Sequence, residues 1–142
     1  FFILRKNGRL IDQDASIKEE RTFPFGIAII FYLIGIFLMI ELNIHIISIA
    51  FWFCYISNTL ITIFINLNWK ISAHSMGASG PFAAFVLAFG WIGLILFPVV
   101  ILVGWSRIKL KCHSYSQVLA GILFAFFSTY LQMSFIIKYL TN

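Results

Sequence analysis

The chain has 142 residues, of which 61 % are apolar and 11 % are charged, and its formal net charge is +5. Soluble domains have roughly 45–50 % apolar and about 25 % charged residues, so this composition excludes a soluble protein and predicts an integral membrane protein. In such a chain the basic balance indicates anionic headgroups or phosphates as partners, together with the lipid bilayer, and not nucleic acid. Cys54 and Cys112 provide neither a metal-ligand spacing nor a disulfide framework.

The beginning of the chain is polar and mixed in charge from Arg5 to Arg21. We interpret residues 1–22 as a polar interfacial segment and residues 23–142 as one transmembrane helical domain. Because Phe1-Phe2-Ile3-Leu4 resembles the end of an apolar segment, we expect further helices upstream of it.

Five apolar stretches follow, and a membrane-spanning helix needs about 20 such residues. We therefore predict an all-α, multi-pass transmembrane bundle of about five spans, running from Pro24 to Leu42, Ile46 to Leu67, Ser72 to Phe89, Trp91 to Gly104, and His113 or Ser114 to Tyr139. Gly90 is expected to make a turn, and Pro98 is expected to kink the fourth helix.

Counting these spans brings three polar segments to one membrane face, which we call side A. The segments are residues 5–21, the stretch from Lys70 to Gly80 and the stretch from Ser106 to Gln117. Of the ten Lys and Arg residues, all except Lys138 fall on side A. Because polar groups near a membrane are costly, these segments are candidates for a functional site.

Side A offers the groups that cleavage of a phosphate ester requires: donors that hold the oxygens, a nucleophile, and an acid for the leaving group. Ser72 and the amide of Ala73 lie at a predicted helix start, which favours anion binding. His74 and His113 supply the nucleophilic and proton-handling groups. No metal-ligand spacing is present and no cofactor is expected. The candidate cations are Lys18, Arg21, Lys70 and Arg107.

The stretch Ser106-Arg107, five residues, His113, three residues, Gln117 resembles the third signature of the type-2 phosphatidic acid phosphatase family, SRxxxxxHxxxD. The stretch Ile71-Ser72-Ala73-His74-Ser75 resembles the second signature, PSGHS, with Ile in place of Pro and Ala in place of Gly. Both the order and the separation of the two stretches agree with the family. The resemblance covers roughly residues 18–125.

The first signature, KxxxxxxRP, is matched irregularly. Lys18, Arg21 and Pro24 lie in the right region, but Lys and Arg are too close together and Pro does not follow Arg.

The resemblance implies a bundle of transmembrane helices that removes phosphate from lipid phosphates or prenyl diphosphates without a metal. It implies that His113 is the nucleophile that forms a phosphohistidine, and that His74 is the acid that protonates the leaving group. It also implies a set of residues that hold the phosphate, namely Arg107, Ser72, the Ala73 amide, Lys18 and Arg21. Two further residues are candidates for phosphate binding. Ser106 is part of the third signature, and Lys70 is equally well explained as an interfacial anchor.

Gln117 stands where the family has an Asp that orients the nucleophilic histidine. If the fifth helix includes His113, Gln117 lies one turn further on the same face and its amide oxygen can accept from the ring. The amide carries no charge, however, and in a serine-protease triad replacing Asp by Asn costs roughly 10⁴ in rate. Either activity is therefore low, or a carboxylate of side A supplies the charge, the candidates being Asp12, Asp14, Glu19 and Glu20.

Other interpretations stay open. The chain is alternatively a catalytically inactive relative with a binding or assembly role, or a membrane prenyltransferase in which Asp12 and Asp14 hold magnesium diphosphate. Taken alone, His113 is better explained as an interfacial histidine that caps a helix, and only together with Ser106, Arg107 and the His74 segment is catalysis favoured. Small residues four apart indicate close helix packing, as in Ala73/Gly77, Ser75/Ser79 and Gly80/Ala84. Because cations serve both topology and phosphate binding, the membrane side of the site stays open.

Overall fold

The computed structural model describes residues 22–140, and side chains from Pro24 onward. Its regular elements within that range are all helical, which confirms the predicted all-α class. They are α1 (Thr22–Glu41), α2 (Ile46–Asn68), α3 (Ala73–Phe89), a 3-10 helix η1 (Gly90–Leu96), α4 (Phe97–Lys109) and α5 (Tyr115–Leu140). The expected polar interfacial segment, with Lys18 and Arg21, lies outside the described residues.

Four helical segments are long and apolar enough to cross a membrane, namely Pro24–Glu41, Ile46–Asn68, Ala73–Lys109 and Tyr115–Leu140. The third segment contains α3, η1 and α4, and it doubles back at Gly90, which has a φ of 61°. Gly93 of η1 packs so closely on α3 that a Cβ there would lie 2.6 Å from the carbonyl carbon of Phe85. The rings of Phe82 and Phe97 lie 5.7 Å apart across the same turn.

The prediction of a fourth helix from Trp91 to Gly104 with a kink at Pro98 is wrong. Residues 90–96 form the 3-10 helix η1, and Pro98 lies in the first turn of α4. Proline is tolerated there because an N–H in the first turn has no partner within the helix. Pro98 therefore starts a helix and does not bend one.

The packing of α3 against α5 depends on small residues. A Cβ at Gly121 would lie 2.8 Å from the carbonyl oxygen of Ser72, so only glycine permits this approach. The hydroxyl of Ser79 donates to the carbonyl of Ile122 at 2.7 Å, and Ser75 is fully buried. Close packing is thus confirmed for the predicted pair Ser75/Ser79, whereas in the pair Gly80/Ala84 both residues are buried but Gly80 lines a cavity.

The pair Ala73/Gly77 departs from the packing prediction. Gly77 is exposed, Ala73 is half-buried, and both line a cavity between the helices. Their small side chains leave this cavity open, and they do not form a tight helix–helix contact.

The outer surface of the described bundle is apolar. Phe31, Phe37, Leu102, Phe127 and Phe135 are each more than half exposed. Soluble monomers rarely expose contiguous apolar patches of such extent, so this surface suits the hydrocarbon of a bilayer.

Candidate active site

The loops that precede α3 and α5 lie against each other at one end of the bundle. The ammonium of Lys70 donates to the carbonyl of Cys112 at 2.9 Å. The backbone N–H of Ser72 donates to the carbonyl of Gln117 at 3.3 Å. The two polar motifs, which are about 40 residues apart in the sequence, therefore meet in space, as span counting predicts.

A capped turn at the end of α4 fixes the separation of Arg107 and His113. The N–H of Lys111 donates to the carbonyl of Ile108 at 2.9 Å, and the N–H of Cys112 donates to that of Arg107 at 3.1 Å. This pair of bonds is the Schellman pattern of helix ends, and Lys111 takes the left-handed position in it with a φ of 55°. The N–H of His113 reaches the same Arg107 carbonyl at 3.4 Å.

The imidazole of His113 is 6 % exposed and is oriented by Gln117. Its Nδ1 lies 3.1 Å from Oε1 of Gln117, and this Oε1 also accepts from the backbone N–H of Ser114 at 3.2 Å. Because a backbone N–H can only donate, the shared atom is the amide oxygen. Nδ1 must then carry the proton, and Nε2 of the neutral ring keeps its lone pair.

α5 begins at Tyr115, one or two residues after the predicted start at His113 or Ser114, so His113 lies outside the helix. Gln117 reaches His113 for another reason. The hydroxyl of Ser114 accepts from the N–H of Gln117 at 3.3 Å, while Gln117 Oε1 accepts from the N–H of Ser114. This reciprocal pair is a capping box, so the start of α5 holds the amide oxygen beside the ring.

The Arg107 side chain is held by its neighbour in sequence. Its Nε donates to the hydroxyl of Ser106 at 3.3 Å, and that hydroxyl donates to the carbonyl of Val103 at 2.7 Å. Both residues are half-buried. Ser106 therefore positions the guanidinium instead of presenting its own hydroxyl to a ligand.

The start of α3 is shaped by Ser72, which is fully buried. Its hydroxyl caps the helix by accepting from the N–H of Ser75 at 3.4 Å, and it lies 2.9 Å from the Ser75 hydroxyl. Ala73 and His74 are the first two residues of the helix, and the His74 side chain is exposed. Ser72 thus fixes the N-terminus of α3, and the Ala73 amide and His74 lie in the first turn of this helix.

Asn66 is a supporting residue that is not among the candidates predicted from the sequence. It is 5 % exposed, and its Oδ1 accepts from the N–H of Ile71 at 3.2 Å, which holds the loop just before Ser72. Ile71 is itself 2 % exposed, so no water replaces this bond. In the sequence, the available sign of this supporting role is that Asn66 is a polar residue near the end of an otherwise apolar span.

Replacing Asn66 by Ala is expected to lower the free energy of unfolding by about 1–3 kcal/mol, because the buried N–H of Ile71 loses its acceptor. Denaturant unfolding in detergent measures the effect. Asn68→Ala is the matched control, since Asn68 is exposed in the last turn of the same helix. Equal stability of the two variants would contradict this role of Asn66.

A second missed feature is a polar network between α2 and α5. Nδ2 of Asn58 donates to the hydroxyl of Thr129 at 3.1 Å. Oδ1 of Asn58 accepts from Ser128 at 2.6 Å and from Nε2 of Gln132 at 3.2 Å. Hydrogen-bonding groups inside apolar helices are costly unless they pair, so this network links the two helices tightly.

Within residues 22–140 no three His, Cys, Asp or Glu side chains are grouped so that they could hold a metal ion. The two remaining candidate cations, Lys18 and Arg21, and the four candidate acids of side A lie outside that range. Compared with known proteins, the chain matches no family model, no curated protein and no solved structure.

Proposed function

We propose that the chain is a multi-pass integral membrane phosphatase that hydrolyses a lipid or isoprenoid phosphate through a phosphohistidine at His113. One observation carries the proposal: Gln117 Oε1 accepts from both the Ser114 N–H and the His113 ring. In the proposed mechanism Nε2 of His113 is the nucleophile, and backbone hydrogen bonds tie its segment to Arg107 and to Ser72 before α3. The resemblance to the type-2 phosphatidic acid phosphatase signatures agrees with these roles.

In the first step Nε2 of His113 attacks phosphorus. The N–P bond forms while the ester P–O bond breaks, and the protonated ring of His74 gives its proton to the leaving oxygen. Arg107, the Ala73 amide and Lys70 stabilise the phosphoryl oxygens. Lys70 lies where the two loops meet, because its ammonium donates to the Cys112 carbonyl.

In the second step a water molecule attacks the phosphohistidine. The now neutral His74 takes a proton from this water, the N–P bond breaks, and inorganic phosphate leaves. His113 recovers its lone pair and His74 its proton. Throughout, Gln117 holds Nδ1–H in place, but as a neutral amide it stabilises the positive ring of the intermediate less than a carboxylate would.

The proposal includes a topology of five spans, in which both arms of the segment Ala73–Lys109 cross the bilayer. The first arm, α3, is about 25 Å long at 1.5 Å per residue. The second arm, η1 with α4, is about 34 Å long. Both lengths suit a hydrocarbon core of about 30 Å. Such a hairpin keeps the loops at His74 and His113 on one side of the membrane.

An inactive relative with a binding role is the second candidate. It is favoured by the capping box, because capping the start of α5 is by itself a sufficient reason for a glutamine at position 117. Release of inorganic phosphate from a panel of lipid phosphates and prenyl diphosphates separates the two, because the inactive relative releases none.

Phosphate release is expected to survive EDTA and to be inhibited by vanadate. The cations at the site replace a metal, and vanadate adopts the five-coordinate geometry of phosphoryl transfer. Inhibition curves for both reagents on the purified protein test this. A strict magnesium requirement would instead support the prenyltransferase interpretation.

A further inference from the structure

A cavity of about 150 Å³ lies among α1, α2, α3 and α5. Its wall begins at Ala73, the first residue of α3, and continues past Gly77 to Gly80 and Thr129. Gly80 lies seven residues along α3 from Ala73, which corresponds to a depth of about 10 Å. The cavity therefore leads from the proposed phosphate site into the apolar interior of the bundle.

The deep end of the cavity carries a hydrogen-bond donor. Thr129 is 1 % exposed, and its hydroxyl oxygen accepts from Asn58. Its own O–H donates to no side chain or carbonyl of residues 22–140. Gly80 leaves room beside it, because a Cβ at that position would lie 3.5 Å from the hydroxyl oxygen. A buried donor that lacks an acceptor is costly, so the site favours a ligand that brings one.

We propose that this cavity binds a segment of the substrate's hydrocarbon chain and that the Thr129 hydroxyl donates to an oxygen on that chain. The proposal rests on the proposed function only for the position of the phosphate. The Thr129 hydroxyl selects an acyl or alkyl chain that bears a keto or hydroxyl oxygen about 10 Å from the phosphate end. A plain prenyl chain offers no acceptor at that depth.

The volume agrees with a chain segment. An engineered cavity of about 150 Å³ in another protein accepts benzene, so this cavity takes a few chain carbons and the rest of the chain lies in the bilayer. The wall also contains the polar side chains of Asn58, Thr59 and Thr62, but its apolar residues, among them Phe51 and Ala125, suit those carbons.

Binding of two phosphonates, which cannot be hydrolysed, tests the proposal without requiring turnover. One is octadecyl phosphonate and the other carries a ketone near the middle of the same chain. Calorimetry in detergent micelles is expected to give about three- to tenfold tighter binding of the ketone, the range typical of one hydrogen bond.

The preference is the ratio of the two phosphonates' dissociation constants measured on the same variant. A general loss of stability affects both constants alike and does not change this ratio. Thr129→Val keeps the shape, removes the hydroxyl and should abolish the preference, whereas Thr129→Ser should retain it. Gly80→Ala places a methyl group beside the hydroxyl and should reduce it. Gly77→Ala adds the same methyl group to the cavity with nothing within 4 Å, and it should leave the preference intact.

The corresponding alcohols, which lack the phosphonate, separate this proposal from the proposed function. If the keto alcohol binds more tightly than the plain alcohol, the cavity proposal is supported. If the phosphonates at the same time bind no more tightly than the alcohols, the proposed phosphate site is contradicted. Equal binding of both chains to the unmodified protein, or a preference that survives both Thr129→Val and Gly80→Ala, would overturn the cavity proposal.

Discussion

His113→Ala is expected to lower turnover by about 10⁴ to 10⁶, because removing the nucleophile of a covalent mechanism leaves only binding and electrostatic stabilisation. The reaction to follow is release of inorganic phosphate from a lipid phosphate in detergent. His113 is 6 % exposed, so the variant is also compared with the unmodified protein by size-exclusion chromatography and thermal unfolding.

His45→Ala is the matched histidine control. His45 is exposed at the opposite end of the bundle, where its Nδ1 accepts from the N–H of Ile47 at the start of α2. Its loss should leave turnover within about threefold of normal, since it costs only a helix cap of about 1 kcal/mol. Near-normal turnover in a folded His113→Ala protein would contradict the mechanism.

Gln117→Glu is expected to raise turnover by about ten- to hundredfold, a part of the roughly 10⁴ that a carboxylate contributes in a serine-protease triad. Glutamate has the length of glutamine, so both hydrogen bonds of Oε1 are kept while a negative charge is added beside Nδ1. The charge stabilises the positive ring of the phosphohistidine. Gln117→Asp, which has the family's residue but a shorter side chain, should give a smaller gain.

The competing account is that a carboxylate of residues 1–21 already supplies this charge. In that case Gln117→Glu should slow turnover, because a second negative charge repels the anionic substrate, and one alanine variant should be strongly impaired. The alanine variants to compare are those of Asp12, Asp14, Glu19 and Glu20. If neither Gln117→Glu nor any of these four changes turnover, both accounts of this position are wrong.

The bounds of α3 were predicted to within one residue because both ends carry strong local signals. Ser72 is a capping residue, and Gly90 adopts a positive φ that few other residues tolerate. The predicted start of α5, at His113 or Ser114, is one or two residues early, and a start at His113 would have put Gln117 one helical turn further on. The capping box of Ser114 and Gln117 gives the same proximity from outside the helix.

The supporting residues were harder to predict because their roles depend on tertiary packing. Nothing local distinguishes Asn66, which holds the loop before Ser72, from the exposed Asn68 two residues later. Likewise, Gly77 and Gly80 belong to pairs of small residues four apart, a spacing that is typical of close helix packing. Only the positions of α2 and α5 show that both glycines line a cavity.

The most direct test of the account is to detect the phosphoryl group on His113. The protein is mixed with a radiolabelled lipid phosphate, quenched in alkali, where phosphohistidine survives, and digested for mass spectrometry. Because His74 acts in both steps, the unmodified protein is used and is quenched within a single turnover. We expect label on the peptide that contains His113, and none in His113→Ala. Turnover without label at His113, or equal label in His113→Ala, would contradict it.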